Sequence, residues 1–161
     1  MALKISKPFW QAISLGTLAG MRSMSAPAIT SHILSHHHSK NLEGTPLNFI
    51  QSEKVATVLK VLAVSELLGD KIPSAPNRIK ATALVSRCVA GALSGASIYK
   101  AAGENAITGG LLGGASAIAS TFVSFFARKT TVKRSHLIDP VVGIIEDALV
   151  FGSAAGLATA A

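Results

Sequence analysis

Acidic residues stand inside stretches that are otherwise apolar: Glu66 in VATVLKVLAVSELLGD, and the pair Glu146 and Asp147 in PVVGIIEDALVFGSAAGLATA. Arg22 and Arg87 lie in neighbouring apolar runs, and Asp70 follows Glu66 by four residues, on the same helix face. Charge is expensive in hydrocarbon, so such groups persist where they face a bundle interior or a watery cavity, often paired. Acids facing Arg87 form a proton-sensitive or cation-binding cluster, because burial favours the neutral carboxyl and a nearby cation favours the charged one. The same residues read equally as ion pairs that fix helix register and do nothing else.

Arg22 adds a second kind of chemistry. It belongs to the run Gly20-Met21-Arg22-Ser23-Met24-Ser25-Ala26-Pro27, which interrupts an apolar segment. Pro27 lacks an amide donor and disfavours helix at the residue before it, so a kink or short unwound stretch is predicted, with Gly20 and Pro27 as hinge residues. In lipid the freed backbone groups must be buried in protein or line a cavity. Loosened amides beside a guanidinium could hold an anion or a carboxylate-bearing substrate. The competing reading, slightly favoured, pairs Arg22 with Glu146 or Asp147 inside the bundle.

Other residue types carry less. His32 and His36 have the i,i+4 spacing of a metal-binding pair, but no Cys or acid stands at a supporting distance, and with His37 and His38 they read as a solvated loop. No metal ligand set is therefore assigned. Lys60 reads as a snorkelling or cavity-facing lysine. The lone Cys88 reads as a small packing residue. No phosphate-binding loop, dinucleotide fingerprint or nucleophile elbow occurs, and no nucleophile–base pair is visible, so neither an enzyme nor a cofactor is expected.

The elements that must position these charges are long apolar helices. The chain has 161 residues, 49% hydrophobic, 14% charged and only 5% aromatic, with positive mean hydropathy. Soluble domains carry about a quarter charged residues. Five spans of about 20 residues, the length that crosses a bilayer, nearly exhaust the chain, so the expected fold is all-α, one transmembrane domain over residues 1–161. The spans run from about Pro8 to Ile33 (the broken one), Ser52 to Leu68, Ile79 to Tyr99, Asn105 to Phe126 and Leu137 to Leu157. Residues 34–51 read as a polar loop, and the basic stretch Arg128 to Arg134 separates the last two spans. The segment after Lys4 and Lys7 holds Trp10, Gln11 and Arg22 and shows no clear small-x-small cleavage site, so it reads as a retained first span.

The net charge of +7 is confined mostly to short segments between apolar runs, which fits membrane topology and not a nucleic-acid face. With five spans, nine Lys and Arg residues between the spans or at their ends fall on the N-terminal side and three on the other. The positive-inside rule then puts the N-terminus in the cytoplasm and the C-terminus outside. Counted inward from the cytoplasmic ends at about 1.5 Å per residue, Glu66, Arg87 and Glu146 fall in one layer of the cytoplasmic half. Spans one and two echo spans four and five, each pair carrying a glycine motif and then acids. An odd span between them would make the second pair an inverted repeat, with a site near the repeat interface. Small-xxx-small pairs recur at Gly16/Gly20, Gly91/Gly95, Gly109/Gly113, Gly110/Gly114 and Gly152/Gly156, where helix backbones can approach closely or a homodimer can form.

Gly20-Met21-Arg22-Ser23-Met24 with Pro27, Glu66-Leu67-Leu68-Gly69-Asp70-Lys71-Ile72-Pro73 with Arg78, Arg87 with Gly91, and Glu146-Asp147 together resemble the bacterial membrane family catalogued as domain of unknown function 4126. The resemblance extends over nearly the whole chain, and the Glu-x-x-x-Asp-Lys-x-Pro stretch is its most specific element. It implies an integral membrane protein and brings no activity with it. The expected function is a small inner-membrane transporter or channel for a small solute or ion, working through Arg22, Glu66, Asp70, Arg87, Glu146 and Asp147. The alternative is a non-transporting interaction or assembly protein in which those charges are staples. The expected partners are the lipid bilayer, a small solute or ion and a second copy of the chain, with no nucleic acid.

Overall fold

The computed structural model describes residues 7–69 and 81–135, with side chains over 7–66 and 81–127. Every regular element among them is helical: α1 (Pro8–Met21), α2 (Ser25–His36), α3 (Glu53–Gly69), α4 (Ala81–Ala101) and α5 (Ala106–Ser135), with 3-10 turns at Lys40–Leu42 and Pro46–Gln51.

α1, α4 and α5 form the core. Pro8 opens α1 at its first turn, where a missing amide costs nothing. Ala12, Leu15, Gly16 and Ala19 then recur at helical spacing and are all buried. α4 and α5 are an antiparallel hairpin. Gly103, at φ 86, ends α4 in the left-handed region, and the Asn105 carboxamide oxygen accepts the Ile107 amide at 2.9 Å to start α5.

Glycine lets these three helices meet at backbone distance. A methyl group on Gly113 of α5 would collide with the Gly91 carbonyl of α4, and one on Gly16 of α1 would collide with the Gly113 carbonyl. Gly113 is thus the point where α5 touches both partners. The predicted Gly16/Gly20, Gly91/Gly95 and Gly109/Gly113 pairs are all used within the chain; Gly152/Gly156 lies outside the described residues. Leu15, Leu18, Ala19, Ala26, Ala90, Ile98 and Ala117 complete this core.

Two expectations about connections change. Residues 34–51 are an ordered cap and not a polar loop. α2 runs on to His36, Leu34, Leu42 and Ile50 form a second apolar cluster with Ala101, and hydrogen bonds pin the segment down. The Ser39 hydroxyl donates to the Ala101 carbonyl at 2.8 Å, and the Ser31 hydroxyl to the Ile50 carbonyl at 2.6 Å. Likewise the span expected over Asn105–Phe126 matches the apolar stretch Ala106–Ala127, but the basic stretch after it is not a loop, since α5 continues as helix to Ser135. Between Ala115 and Ser135 there is neither glycine nor proline to end it, and Lys, Arg and Ala favour helix.

Small hydroxyls and two arginines share the interior with the apolar core, while large apolar side chains face outward. Thr30, Ser31, Ser94 and Ser97 are fully buried, Arg22 and Arg87 are 5% and 7% exposed, and Val89, Ile107, Leu111 and Val123 are 60–72% exposed. α4 and the stretch Ala106–Ala127 of α5 are each long and apolar enough to cross a membrane.

Candidate functional site: the Glu66-bound helix break

The predicted interruption is present as a break between two helices. α1 closes at Arg22, whose backbone is extended (φ −144, ψ 114) and whose amide still bonds the Leu18 carbonyl. The chain turns through Ser23 and Met24 and re-enters helix at Ser25. Pro27 is the third residue of α2, a first-turn position where an amide has no intrahelical acceptor anyway. Proline therefore starts the second half and does not kink a continuous helix. Gly20 sits inside α1 against Ala117 and Ser120, ahead of the turn.

Breaking a helix exposes amides at one end and carbonyls at the other, and different helices answer the two ends. Glu66, in the last turns of α3, binds the amide end. Its Oε1 accepts from the Ser23 amide at 3.0 Å and the Ser23 hydroxyl at 2.7 Å, and its Oε2 accepts from the Met24 amide at 2.9 Å. The carboxylate thus lies at the N-terminus of α2, where aligned peptide dipoles favour negative charge. At the carbonyl end α5 supplies hydroxyls: Ser120 donates to the Thr17 carbonyl at 2.8 Å, and Thr121, which bonds the Ala117 carbonyl of its own turn at 2.7 Å, also lies 3.1 Å from the Gly20 carbonyl.

Arg22 is the first residue of the break, and Arg87 is buried on α4, which packs on α1 and α2. Of the six residues expected to form the site, the structure therefore places Glu66 and Arg22 at one locus and Arg87 in the interior. Asp70, Glu146 and Asp147 lie outside the described residues. What side-chain chemistry could not signal was the part played by the Ser23 and Met24 amides. Ser120 was also missed, since hydroxyls in apolar helices usually bond their own preceding turn, as Ser94, Ser97 and Thr121 do.

The histidines sit at the far end of α2. The His32 and His36 rings pack edge to face with centroids 4.4 Å apart, the Lys60 ammonium lies 3.0 Å from His32 Nδ1, and His36 Nδ1 bonds the His32 carbonyl. Both Nδ1 atoms are thus engaged within the protein. A cleft of 590 Å³ lined by Leu47, Lys100, Glu104 and Asn105 opens nearby, at the α4–α5 turn.

A carboxylate on a broken helix, with a guanidinium at the break, can bind or release a cation or proton, or can simply hold two half-helices together. No curated protein and no solved structure matches the chain. The family model described as domain of unknown function (DUF4126) matches residues 10–160, a range that takes in the break, Glu66 and both buried arginines, and the chain belongs to that family.

Proposed function

We propose that this chain is a small polytopic inner-membrane transporter or channel for a small solute or ion, with the Glu66-bound break at its working centre. The observation that carries the proposal is the carboxylate itself: an acid from one helix held by the backbone of another that is discontinuous. Discontinuous helices whose ends meet ions and substrates are a recurrent transporter device.

Membrane embedding is supported by the outward Val89, Ile107, Leu111 and Val123 and the inward Ser94, Ser97 and Thr121. α1 and α2, at 14 and 12 residues, are each too short to cross about 30 Å of hydrocarbon, and α2 folds back along α1: Gly20 lies against Ala117 at the break, whereas Leu34 has returned to Ala101 at the α4–α5 turn. On this reading α1–α2 is a short antiparallel helix pair with the break at its tip, in place of the single broken span expected from the sequence, α3, α4 and α5 are spans, and the apolar run Leu137–Leu157 is a further one. Because α1 and α5 run parallel, the start of α1 and the basic end of α5 lie at opposite ends of the bundle, and the positive-inside rule puts the basic end in the cytoplasm. Glu66 and Glu146 bind the proton or cation, Asp70 and Asp147 extend the acidic layer, and Arg22 and Arg87 set its charge.

The test is proton and monovalent-cation flux in proteoliposomes under an imposed potential. Glu66→Gln and Glu146→Gln should abolish flux while the protein stays folded; unchanged flux in both counts against transport.

A second reading is favoured by one observation. Both Glu66 oxygens are already satisfied by Ser23 and Met24, as a structural staple requires. An assembly protein built this way would lose stability or its oligomer on the same substitutions, with no flux to lose. A homodimer fits either reading, and its interface would use surfaces other than the glycine faces spent inside the bundle.

A further inference from the structure

Among the described helices, α3 is the least built into the bundle. The glycine crossings interlock α1, α4 and α5, whereas among the described elements α3 packs against α2 and the Pro46–Gln51 turn. Its inward stripe is Val55, Ala56, Leu59, Ala63 and Glu66, of which only Ala56 is fully buried. Val58, Val61, Leu62 and Val64 are exposed on the other side. In lipid a helix is held by close packing and hydrogen bonds and not by transfer of apolar surface, and among the described elements α3 makes no glycine crossing.

Polar contacts fix α3 at separated points. At its start the extended Ser52 leads out of the 3-10 turn and accepts the Ala56 amide at 2.9 Å. Near its middle Lys60 meets His32 at an exposed contact. At its far end Glu66 makes three bonds to Ser23 and Met24, and bonds to an ionised acceptor are the strong ones.

The geometry points to α3 as a hinged arm that turns about Ser52 and is latched shut by Glu66 on the helix break. Closed, the arm covers the Ser23 and Met24 amides; unlatched, its Glu66 end parts from α2 and uncovers them. The device stands whether or not the chain moves a solute, because it rests on how α3 meets α2 and the Pro46–Gln51 turn.

Paired spin labels on the full-length chain in lipid nanodiscs test it, in a Cys88→Ala background. One pair, Val64→Cys with Val123→Cys, reports the latched end; the other, Lys54→Cys with Ile107→Cys, reports the hinge end. All four sites are exposed. Glu66→Ala should broaden and lengthen the latched-end distances and leave the hinge-end distances unchanged. An unchanged latched end overturns the arm, as does equal broadening at both ends, which is general loosening.

Hydrogen exchange on the unsubstituted protein gives an answer even where Glu66→Ala does not fold. The amides of Ser23, Met24 and the last turns of α3 should exchange together, about tenfold or more faster than those of the α1, α4 and α5 crossing, as a separately opening unit does. Exchange of all these amides at one common rate overturns the proposal.

Discussion

Glu66 Oε1 accepts both the amide and the hydroxyl of Ser23, at 3.0 and 2.7 Å, across 43 residues of chain. An N-cap is usually supplied by the residue that begins the helix. Here α2 begins with Met24 at the capping position, which has no side-chain acceptor, and a different helix supplies the carboxylate. Capping and tertiary packing are therefore one interaction, and neither half of the broken helix is finished without α3.

Removing that carboxylate should cost more than any surface substitution. Glu66→Ala leaves the Ser23 and Met24 amides without their acceptor, a loss of about 3 kcal/mol given what bonds to charged groups contribute. Glu66→Gln keeps one acceptor oxygen and should lose about half as much. Unfolding of the detergent-solubilised protein reads both, and an alanine variant within about 0.5 kcal/mol of the parent, the range of ordinary surface changes, would remove the cap from the account.

Ser23→Ala deletes only the hydroxyl donor and should cost about 1 kcal/mol. Combined with Glu66→Ala it should add almost nothing further, because the bond it removes is already gone. Simple additivity in that double-mutant cycle would mean that Ser23 and Glu66 do not act as a pair.

The two glycine ridges of α5 should respond differently to one methyl group. Gly113→Ala pushes into the Gly91 backbone and should destabilise by about 2 kcal/mol, the scale of overpacking. A methyl on Gly110 would meet Ala92 and Ala96 at 3.6 and 3.7 Å, ordinary contact. Gly110→Ala should be neutral, or stabilising by up to about 1 kcal/mol through helix propensity. Equal effects at both positions would contradict the close crossing.

Val89 lies near the middle of α4 and is 60% exposed. If lipid covers that face, Val89→Lys places a charge in hydrocarbon at about 3 kcal/mol on the insertion scale and should cut the membrane-integrated fraction sharply in carbonate extraction. A Val89→Lys protein recovered at parental level from membranes, or a parent monodisperse in buffer without detergent, speaks against the bilayer.

Much of this was legible in the residues. Helical class follows from apolar runs of about 20 residues, the length of a helical span, in a chain with few charged residues. The break follows from an arginine, two serines and a proline crowded into an apolar segment, and the small-xxx-small pairs marked where helices cross. These features survive folding because they depend on neighbours three and four positions away. α5 shows the limit of that logic: a basic run looks like a loop, but without glycine or proline nothing stops the helix. The 34–51 segment shows it from the other side, since Leu42 and Ile50 become core only when α2 and α4 are there to cover them.

The amino-acid order by itself determined that this chain makes apolar helices, that the first is interrupted near Arg22, and that Glu66 must find a polar partner. Only the tertiary structure decided that the partner is the backbone of Ser23 and Met24. The reason is physical: an amide carries no residue-type signature, and whether one is free depends on where a helix stops. Which carboxylate reaches it depends on the rotation and register of helices far apart in the chain, set by many weak contacts acting together.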